Sequence, residues 1–304
     1  MQLMNLRMHI VAVAGTALLL SPRPAPAQPI DSGGTDRLVI REFRSKIFSN
    51  TRRLRIYLPE DYESPQNRNK RYPVLYLNDG QNLFDIKTSI FNKMEWRVDE
   101  TTDSLRGLGL IPPMIIVGID NAGRHLRPRE YLPYPDEFLT PPEPSPQGKL
   151  FPRFVVQEVM PFINSQYRTK TGPDETGFGG SSYGALPVLY SVIATPGVFG
   201  RLLVESPSLY VHDSQLLKDL RKVKSWPGRI YVGVGTNELG KPDCKPGNWD
   251  SEPVQDVVTL KKLLEDAGYQ KDRLDVEIED CAIHNEDAWA RRFPAALEFL
   301  YGTR

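Results

Sequence analysis

Short apolar runs alternate with longer segments of helical spacing through the second half of the chain. The apolar runs predict strands at 175–180, 201–206, 229–234 and 274–279. The segments of helical spacing predict helices at 151–165, from 184, and at 214–223, 253–267 and 287–301. Because strands joined by helices form right-handed crossovers, this order predicts an α/β fold with a mostly parallel sheet flanked by helices.

The first half of the chain has similar apolar runs in a less regular order. Strands are predicted within 37–48, 52–62, 71–80 and 112–123, and a helix at 93–105. Residues 124–149 have no hydrophobic period and are rich in proline and aromatic residues. A loop of this length is more often a lid or a binding loop than a simple connection, although a surface excursion without a function is the alternative.

The N-terminal residues 1–27 have the pattern of a secretory signal. Arg7 precedes an apolar stretch, and Ala25-Pro26-Ala27 supplies the small residues of a cleavage site. The apolar stretch is too short to span a bilayer. The alternatives to a cleaved signal are an uncleaved anchor and a wrongly assigned start of the chain. We expect cleavage to leave a polar leader at 28–36 and a single domain at 37–304, in a secreted or periplasmic protein.

Composition limits the partners that we expect the chain to bind. Its 38 basic and 38 acidic residues are mixed along the sequence, which gives no charge pattern for nucleic acid or for an anionic membrane. Its four histidines lack metal-ligand spacing, and we expect no metal or cofactor. In an oxidising compartment Cys244 and Cys281 are expected to form a disulfide, with two buried free thiols as the alternative.

A glycine-rich turn in the stretch TGFGGSSYGALPVLY, residues 176–190, joins a predicted strand to a predicted helix. Within it, Gly180-Ser181-Ser182-Tyr183-Gly184 fits the pattern G-x-S-x-G of a nucleophile elbow. In such a turn the Ser182 hydroxyl projects and the Tyr183 backbone N–H can donate to an oxyanion. A plain tight turn is the alternative, but the strand before it and the helix after it favour a nucleophile.

A serine nucleophile needs a base, and the base needs a carboxylate that orients it. Three of the four histidines are excluded because they lie in the signal, before the serine, or only one strand after it: His9, His125 and His212. His284, just after the last predicted strand, is therefore the expected base. Glu238, at the end of the preceding strand, is the expected acid. Three other carboxylates are alternatives: Asp243, Asp250 and Glu205.

A second motif at the same place matches the first seven positions of a phosphate-binding P-loop, from Gly235 to Lys241. The next position of a P-loop is a serine or threonine that holds Mg²⁺ and continues into a helix. Pro242 has no hydroxyl and breaks a helix. We therefore do not expect nucleotide binding.

Five short segments of the sequence are together similar to those of one enzyme family. They are YLNDGQNLFD (76–85), VGIDN (117–121), PFINSQYRT (161–169), GGSSYG (179–184) and SPS (206–208). The set resembles the esterase family of enterochelin esterases, S-formylglutathione hydrolases, feruloyl and acetylxylan esterases and antigen 85 mycolyltransferases. The likeness covers nearly all of the chain after the signal. One departure is Ala185, where the family usually has a second glycine.

The resemblance implies an α/β-hydrolase fold, with antiparallel N-terminal strands, and a catalytic triad of Ser182, Glu238 and His284. It also implies a second oxyanion donor in the loop after the third strand, for which Gln81 is our choice. Four residues are candidates for substrate binding: Asn82, Arg127, Tyr131 and Trp289. Arg127 and Tyr131 could equally be ordinary packed or salt-bridged surface groups, and Trp289 could equally be a core residue that caps the last helix.

The expected function is that of a secreted serine carboxylic-ester hydrolase. It acts through an acyl-enzyme on a small, aryl, sugar or siderophore ester, and it needs no cofactor. An acyltransferase with the same triad and an acceptor other than water is the alternative. A binding protein on an esterase scaffold is disfavoured, because the triad is intact.

Overall fold

One eight-stranded sheet runs through the part of the chain that the computed structural model describes, residues 37–90 and 93–302. Its strands are β1 (Leu38–Arg44), β2 (Thr51–Tyr57), β3 (Val74–Asn78), β4 (Ile115–Ile119), β5 (Thr176–Ser181), β6 (Arg201–Glu205), β7 (Arg229–Gly235) and β8 (Leu274–Glu279). They lie in the order β1-β2-β4-β3-β5-β6-β7-β8. β2 pairs antiparallel with both of its neighbours, β1 and β4, and the remaining neighbouring strands pair parallel, which confirms the predicted α/β-hydrolase sheet. The predicted signal and leader lie outside the described residues.

Helices cover both faces of this sheet. They are α1 (Val98–Gly107), α2 (Arg127–Tyr131), α3 (Phe151–Phe154), α4 (Met160–Gln166), α5 (Ala185–Ala194), α6 (Val211–Leu220), α7 (Glu252–Asp266) and α8 (Glu286–Tyr301). The sequence predicts one helix at 151–165, whereas a π-helical segment, Val155–Val159, separates α3 from α4. Pro161 has no N–H to give to the preceding turn, which accounts for the local change of hydrogen bonding.

Two hydrophobic clusters pack on opposite faces of the sheet, because successive strand residues point to opposite sides. On β3, Val74 and Tyr76 belong to the cluster beneath α3 to α7, whereas Leu75 and Leu77 belong to the cluster beneath α1 and α8. Both sets of side chains are almost fully buried. Among the described residues, no helix has the length and apolar character that crossing a membrane requires.

The long loop at 124–149 contains a short α-helix, α2, that its sequence does not predict. A helix of five residues is too short to be stable alone, so contacts with the rest of the fold must hold it. The Tyr131 ring packs edge-on against Phe151 at 5.0 Å. The Arg127 guanidinium lies 5.1 Å from the centre of the Tyr131 ring and forms a buried ion pair with Asp79. These contacts attach the start of the loop to the edge of the sheet.

Candidate active site

The candidate residues meet at the edge of the sheet where the parallel strands end. Asp79 follows β3, Ser182 follows β5, Glu238 lies just after β7, and His284 lies just after β8. Because β3, β5, β6, β7 and β8 are parallel neighbours, their carboxyl ends form one continuous rim. Ligands of open α/β sheets bind at this rim.

The turn that carries Ser182 is tight and strained. Ser182 has a φ of 58°, in the left-handed region that residues with a side chain rarely adopt. A Cβ atom at Gly180 would lie 2.4 Å from the Gly184 carbonyl oxygen, so this approach of strand and helix requires glycine. Asn78 Nδ2 donates to the same carbonyl at 2.7 Å and holds the turn closed. This is the geometry of a nucleophile elbow.

Glu238 and His284 form a direct hydrogen bond between Oε2 and Nδ1 at 2.5 Å. The other carboxylate oxygen of Glu238, Oε1, accepts from the Gly235 backbone N–H at 2.6 Å and from the Ser206 hydroxyl at 2.7 Å. Burial alone raises the pKa of Glu238. The hydrogen bond and charge of His284, aided by the other two donors, outweigh burial and hold the pKa below its ordinary value. Glu238 is therefore a buried carboxylate with a donor on each oxygen.

Ser206 links the carboxylate to α8, a role that the sequence does not predict. Its hydroxyl donates to Glu238 and accepts from Trp289 Nε1 at 2.9 Å. The Trp289 ring also packs against the His284 ring, with centres 5.2 Å apart and planes at 85°. The available signal was the position of Ser206 at the end of β6, between two strands that carry candidate residues.

A cavity of about 160 Å³ opens between these elements. It is lined by Asp79, Asn82, Arg127, Ser181, Ser182, His284, Glu286 and Trp289. Ser182 and His284 thus face the same space. Within the described residues, the Ser182 hydroxyl forms no hydrogen bond. Hydrogen bonds between catalytic groups often tighten only once the substrate is bound.

The structure separates the predicted substrate-binding residues into two groups. Asn82, Arg127 and Trp289 line the cavity. Tyr131 is fully buried behind it, where its hydroxyl accepts from the Asp79 backbone N–H at 3.1 Å. Tyr131 therefore contacts the loop after β3 rather than the cavity.

The two oxyanion donors, Tyr183 and Gln81, remain predictions. Tyr183 directly follows Ser182, and its side-chain hydroxyl donates to Asp136 in the long loop. The Gln81 side chain does not line the cavity, because its Oε1 accepts from the Asn121 backbone N–H at 3.1 Å. A role of Gln81 in oxyanion binding therefore depends on its backbone N–H.

A buried network fixes the loop after β3. Asp79 has a φ of 55°, and its carboxylate accepts from Arg127 Nη2 at 2.8 Å and from Asn121 Nδ2 at 2.7 Å. A Cβ atom at the next residue, Gly80, would lie 2.6 Å from the Gly118 carbonyl carbon, so β4 and this loop are in direct contact. The ion pair therefore holds Asp79 in its left-handed conformation beside the cavity.

In the P-loop-like stretch from Gly235 to Lys241, backbone N–H groups donate to side chains and carbonyls of the protein itself. The Gly235 N–H donates to Glu238, and the Lys241 N–H donates to Asn237 Oδ1 at 2.7 Å. The Thr236 and Asn237 N–H groups donate to backbone carbonyls of the segment around β8. A phosphate-binding loop presents such N–H groups to its ligand. Here they hold the candidate acid in place.

Cys244 and Cys281 form a disulfide, with their Cα atoms 5.7 Å apart. Cys244 lies on the loop after Glu238, and Cys281 lies shortly before His284. The Cys281 N–H donates to Thr236 Oγ1 at 2.7 Å, which adds a second link between the same two loops. The loops of the acid and the histidine are thus joined covalently.

Replacing both cysteines by serine is expected to lower the free energy of unfolding by about 2–4 kcal/mol, because the bridge restricts the unfolded chain. Urea unfolding monitored by circular dichroism measures this change. Adding a thiol reductant to the unsubstituted protein should produce the same shift, and adding it to the double variant should produce none. An unchanged unfolding midpoint in the double variant would contradict this expectation.

A nucleophile elbow in a mostly parallel sheet, with a carboxylate-bound histidine at the same rim, is typical of serine hydrolases with the α/β-hydrolase fold. The chain belongs to the family described as "Putative esterase", whose model matches residues 45–300. It is a carboxylic ester hydrolase, and the resemblance seen in its sequence is confirmed.

The chain is also similar to individual proteins in fold or in sequence. A crystal structure of the enterobactin esterase of Shigella flexneri with enterobactin superposes with a TM-score of 0.66 and 20% identity, over 91% of this chain and 60% of that chain. An IroE-like serine hydrolase of Shewanella oneidensis superposes with a TM-score of 0.63 and 22% identity, over 87% and 80%. The iron(III) enterobactin esterase of Dickeya dadantii is 29% identical over 183 residues, which are 60% of this chain and 36% of that protein.

Proposed function

We propose that this ester hydrolase works through an acyl-enzyme formed on Ser182, with His284 as the base and Glu238 as the acid. The observation that carries the proposal is the hydrogen bond of 2.5 Å between His284 and a fully satisfied Glu238, at a cavity that Ser182 shares. His284 Nδ1 is bound to the carboxylate, so its Nε2 is the nitrogen that can accept the serine proton. The side-chain pairing therefore supports one role for each residue.

In the proposed reaction Ser182 Oγ attacks the ester carbonyl as its proton moves to His284 Nε2. Backbone N–H groups of Tyr183 and Gln81 donate to the oxyanion. The tetrahedral intermediate collapses, and His284 gives the proton to the departing alcohol. Water then attacks the acyl-enzyme with His284 again as the base, which releases the acid and restores the serine.

The cavity supports a substrate that inserts only a small group. A cavity of about 150 Å³ holds a benzene ring, and this one measures about 160 Å³. Its wall combines the apolar Trp289 ring with polar groups of Asn82 and Arg127. We therefore propose a small ester, or a larger aryl, sugar or siderophore ester of which one small group enters the cavity. The enterobactin esterases among the relatives support the siderophore ester as one member of this group.

We also propose that the protein is exported and acts outside the cytoplasm, as a secreted or periplasmic enzyme. Two observations support this location: the signal pattern of residues 1–27 and the disulfide. Disulfides persist in oxidising compartments and are rare in the cytosol.

An acyl-enzyme on Ser182 is testable by trapping. Rapid acid quenching of the enzyme during turnover of p-nitrophenyl acetate should give protein heavier by one acetyl group, with the added mass on the peptide that contains Ser182. Pre-steady-state kinetics should show a burst of p-nitrophenol equal to the enzyme concentration, provided that deacylation is the slower step. An acetyl group on a different residue would refute the assignment. Added sugar or alcohol acceptors that divert the acyl group to new esters would identify the acyltransferase alternative.

A further inference from the structure

The cavity contains a carboxyl group that the proposed mechanism does not use. Glu286 begins α8, two residues after His284, and it lines the cavity. The Asn285 side chain accepts from the Ala288 N–H at 2.9 Å and caps the helix, which fixes the position of Glu286. Glu286 is only 1% exposed. A buried carboxyl at the cavity wall therefore lies close to the candidate base.

The two oxygens of Glu286 differ in their partners. Oε1 accepts from Asn82 Nδ2 at 3.1 Å. Oε2 is buried and has no hydrogen-bond partner within the described residues. Glu238, the other carboxylate at this site, has a donor on each oxygen. An unsatisfied buried acceptor is costly, so a ligand donor that reaches Oε2 from the cavity gains more than it would in water.

A structural role at the helix N-terminus does not account for this oxygen. An acidic residue in the first turn is favoured by the helix dipole. A carboxylate that stays partly exposed also gains from the dipole, as Asp287 beside it does while it pairs with Arg97 and Arg291. The dipole alone therefore does not explain why Glu286 is buried against Asn82 with one oxygen unpaired.

We propose that Glu286 is a specificity-determining residue, which binds a hydroxyl group on the part of the ester that enters the cavity. This inference rests on the proposed function, since it concerns the substrate of the same site. Oε2 is the acceptor, and Asn82 fixes the carboxyl plane through the other oxygen. The small cavity places this hydroxyl within a few bonds of the ester carbonyl, on the acyl part or on the alcohol.

The protonation of Glu286 favours a hydroxyl over a purely cationic group. Burial raises the pKa of Glu286 to about 7, and the charge of Asp79 acts in the same direction. The Glu286 backbone N–H, His284 and Arg127 oppose this rise. Near neutral pH both forms of the carboxyl are therefore present. A hydroxyl can donate to the carboxylate and accept from the acid, whereas an ammonium group can only donate.

The test compares esters in which a hydroxyl is replaced by a methyl group of similar size. Three pairs place it at different positions: methyl lactate and methyl isobutyrate, methyl 3-hydroxybutyrate and methyl 3-methylbutyrate, and 2-hydroxyethyl butyrate and propyl butyrate. In at least one pair the unsubstituted enzyme should prefer the hydroxyl member in kcat/KM by about tenfold or more, since a hydrogen bond to a buried charged group has this effect. Glu286→Leu should bring that ratio close to one, and Glu286→Gln should give an intermediate ratio.

Two controls separate a specific role from a structural one. Asp287→Asn changes the neighbouring carboxylate, which does not line the cavity, and should retain the preference. Thermal unfolding and turnover of the methyl members report whether each variant is folded and competent. If Glu286→Leu does not fold, Glu286→Gln decides, because it keeps the shape and the contact with Asn82.

The outcomes distinguish this inference from the function on which it rests. Hydrolysis of the esters with no preference for a hydroxyl, or with a preference that survives both Glu286 substitutions, overturns the role of Glu286 and leaves the proposed function standing. Failure to hydrolyse any of the six esters or p-nitrophenyl acetate overturns the proposed function, and the inference with it.

Discussion

Replacement of Ser182 by alanine is expected to lower kcat for p-nitrophenyl acetate by about 10⁴- to 10⁶-fold, the range found when a serine nucleophile is removed from a triad. Alanine keeps the small volume of the elbow but has no oxygen to acylate. The loss of activity should be specific to this residue, because Ser182 alone occupies the left-handed position of the elbow between Gly180 and Gly184. Steady-state assays with highly purified protein measure the loss.

The neighbouring serine supplies a matched control for this experiment. Ser181 ends β5 and is almost fully buried. Ser181→Ala should lower kcat by no more than about tenfold, because the nucleophile and its base are retained. If Ser182→Ala kept most of the activity while Ser181→Ala lost it, the assignment of the nucleophile would be wrong.

Glu238→Gln is expected to lower kcat by about 10³- to 10⁴-fold, because the amide cannot stabilise the imidazolium or hold the same histidine tautomer. The matched control is Glu205→Gln. Glu205 is another buried carboxylate, at the end of β6, and its sequence position made it an alternative to Glu238 as the catalytic acid. Glu205 is bound instead by Arg292, whose Nη2 donates to Oε2 at 2.7 Å. Its replacement should lower the free energy of unfolding, because Arg292 loses one of its two carboxylate partners and keeps only Glu279, with a smaller change in kcat. A larger loss of kcat in Glu205→Gln would make Glu205 the acid.

Glu238→Gln has a second expected effect, on the pH dependence of stability. The pKa of Glu238 in the folded protein lies below the ordinary value of 4.5. Its ionisation therefore stabilises the fold above that value, and this stabilisation is lost as the pH falls through the folded pKa. Between about pH 5 and pH 3, the free energy of unfolding should fall less steeply in Glu238→Gln than in the unsubstituted protein. Equal slopes would contradict the favourable contact with His284.

Local sequence was sufficient for the features that depend on neighbouring residues. The elbow around Ser182 was predictable because glycines at two fixed positions report directly on a close backbone approach. The strands and helices after residue 166 were predictable because each carries its own hydrophobic period, and their alternation determines the topology of the sheet. His284 and Glu238 followed from the order of strands, since parallel strands end at one rim.

Features that depend on contacts between distant segments were not predictable in this way. The short helix α2 has little helical tendency and is held by Asp79 and Phe151, which are far from it in sequence. Tyr131 lies behind the cavity because Asp79 and Phe151 hold it there. Ser206 and Glu286 have roles that depend on which side-chain oxygen meets which donor, and a pattern of residue types does not contain that information.

The contact between Ser206 and Glu238 limits where the proton can go during the proposed reaction. Glu238 already accepts from Gly235, Ser206 and His284. A carboxylate surrounded by three donors resists neutralisation, so the charge pair with an imidazolium persists for the lifetime of the intermediate. The proton taken from the serine is then released only toward the cavity, to the departing alkoxide, and the buried side of the histidine acts as a fixed negative counterion.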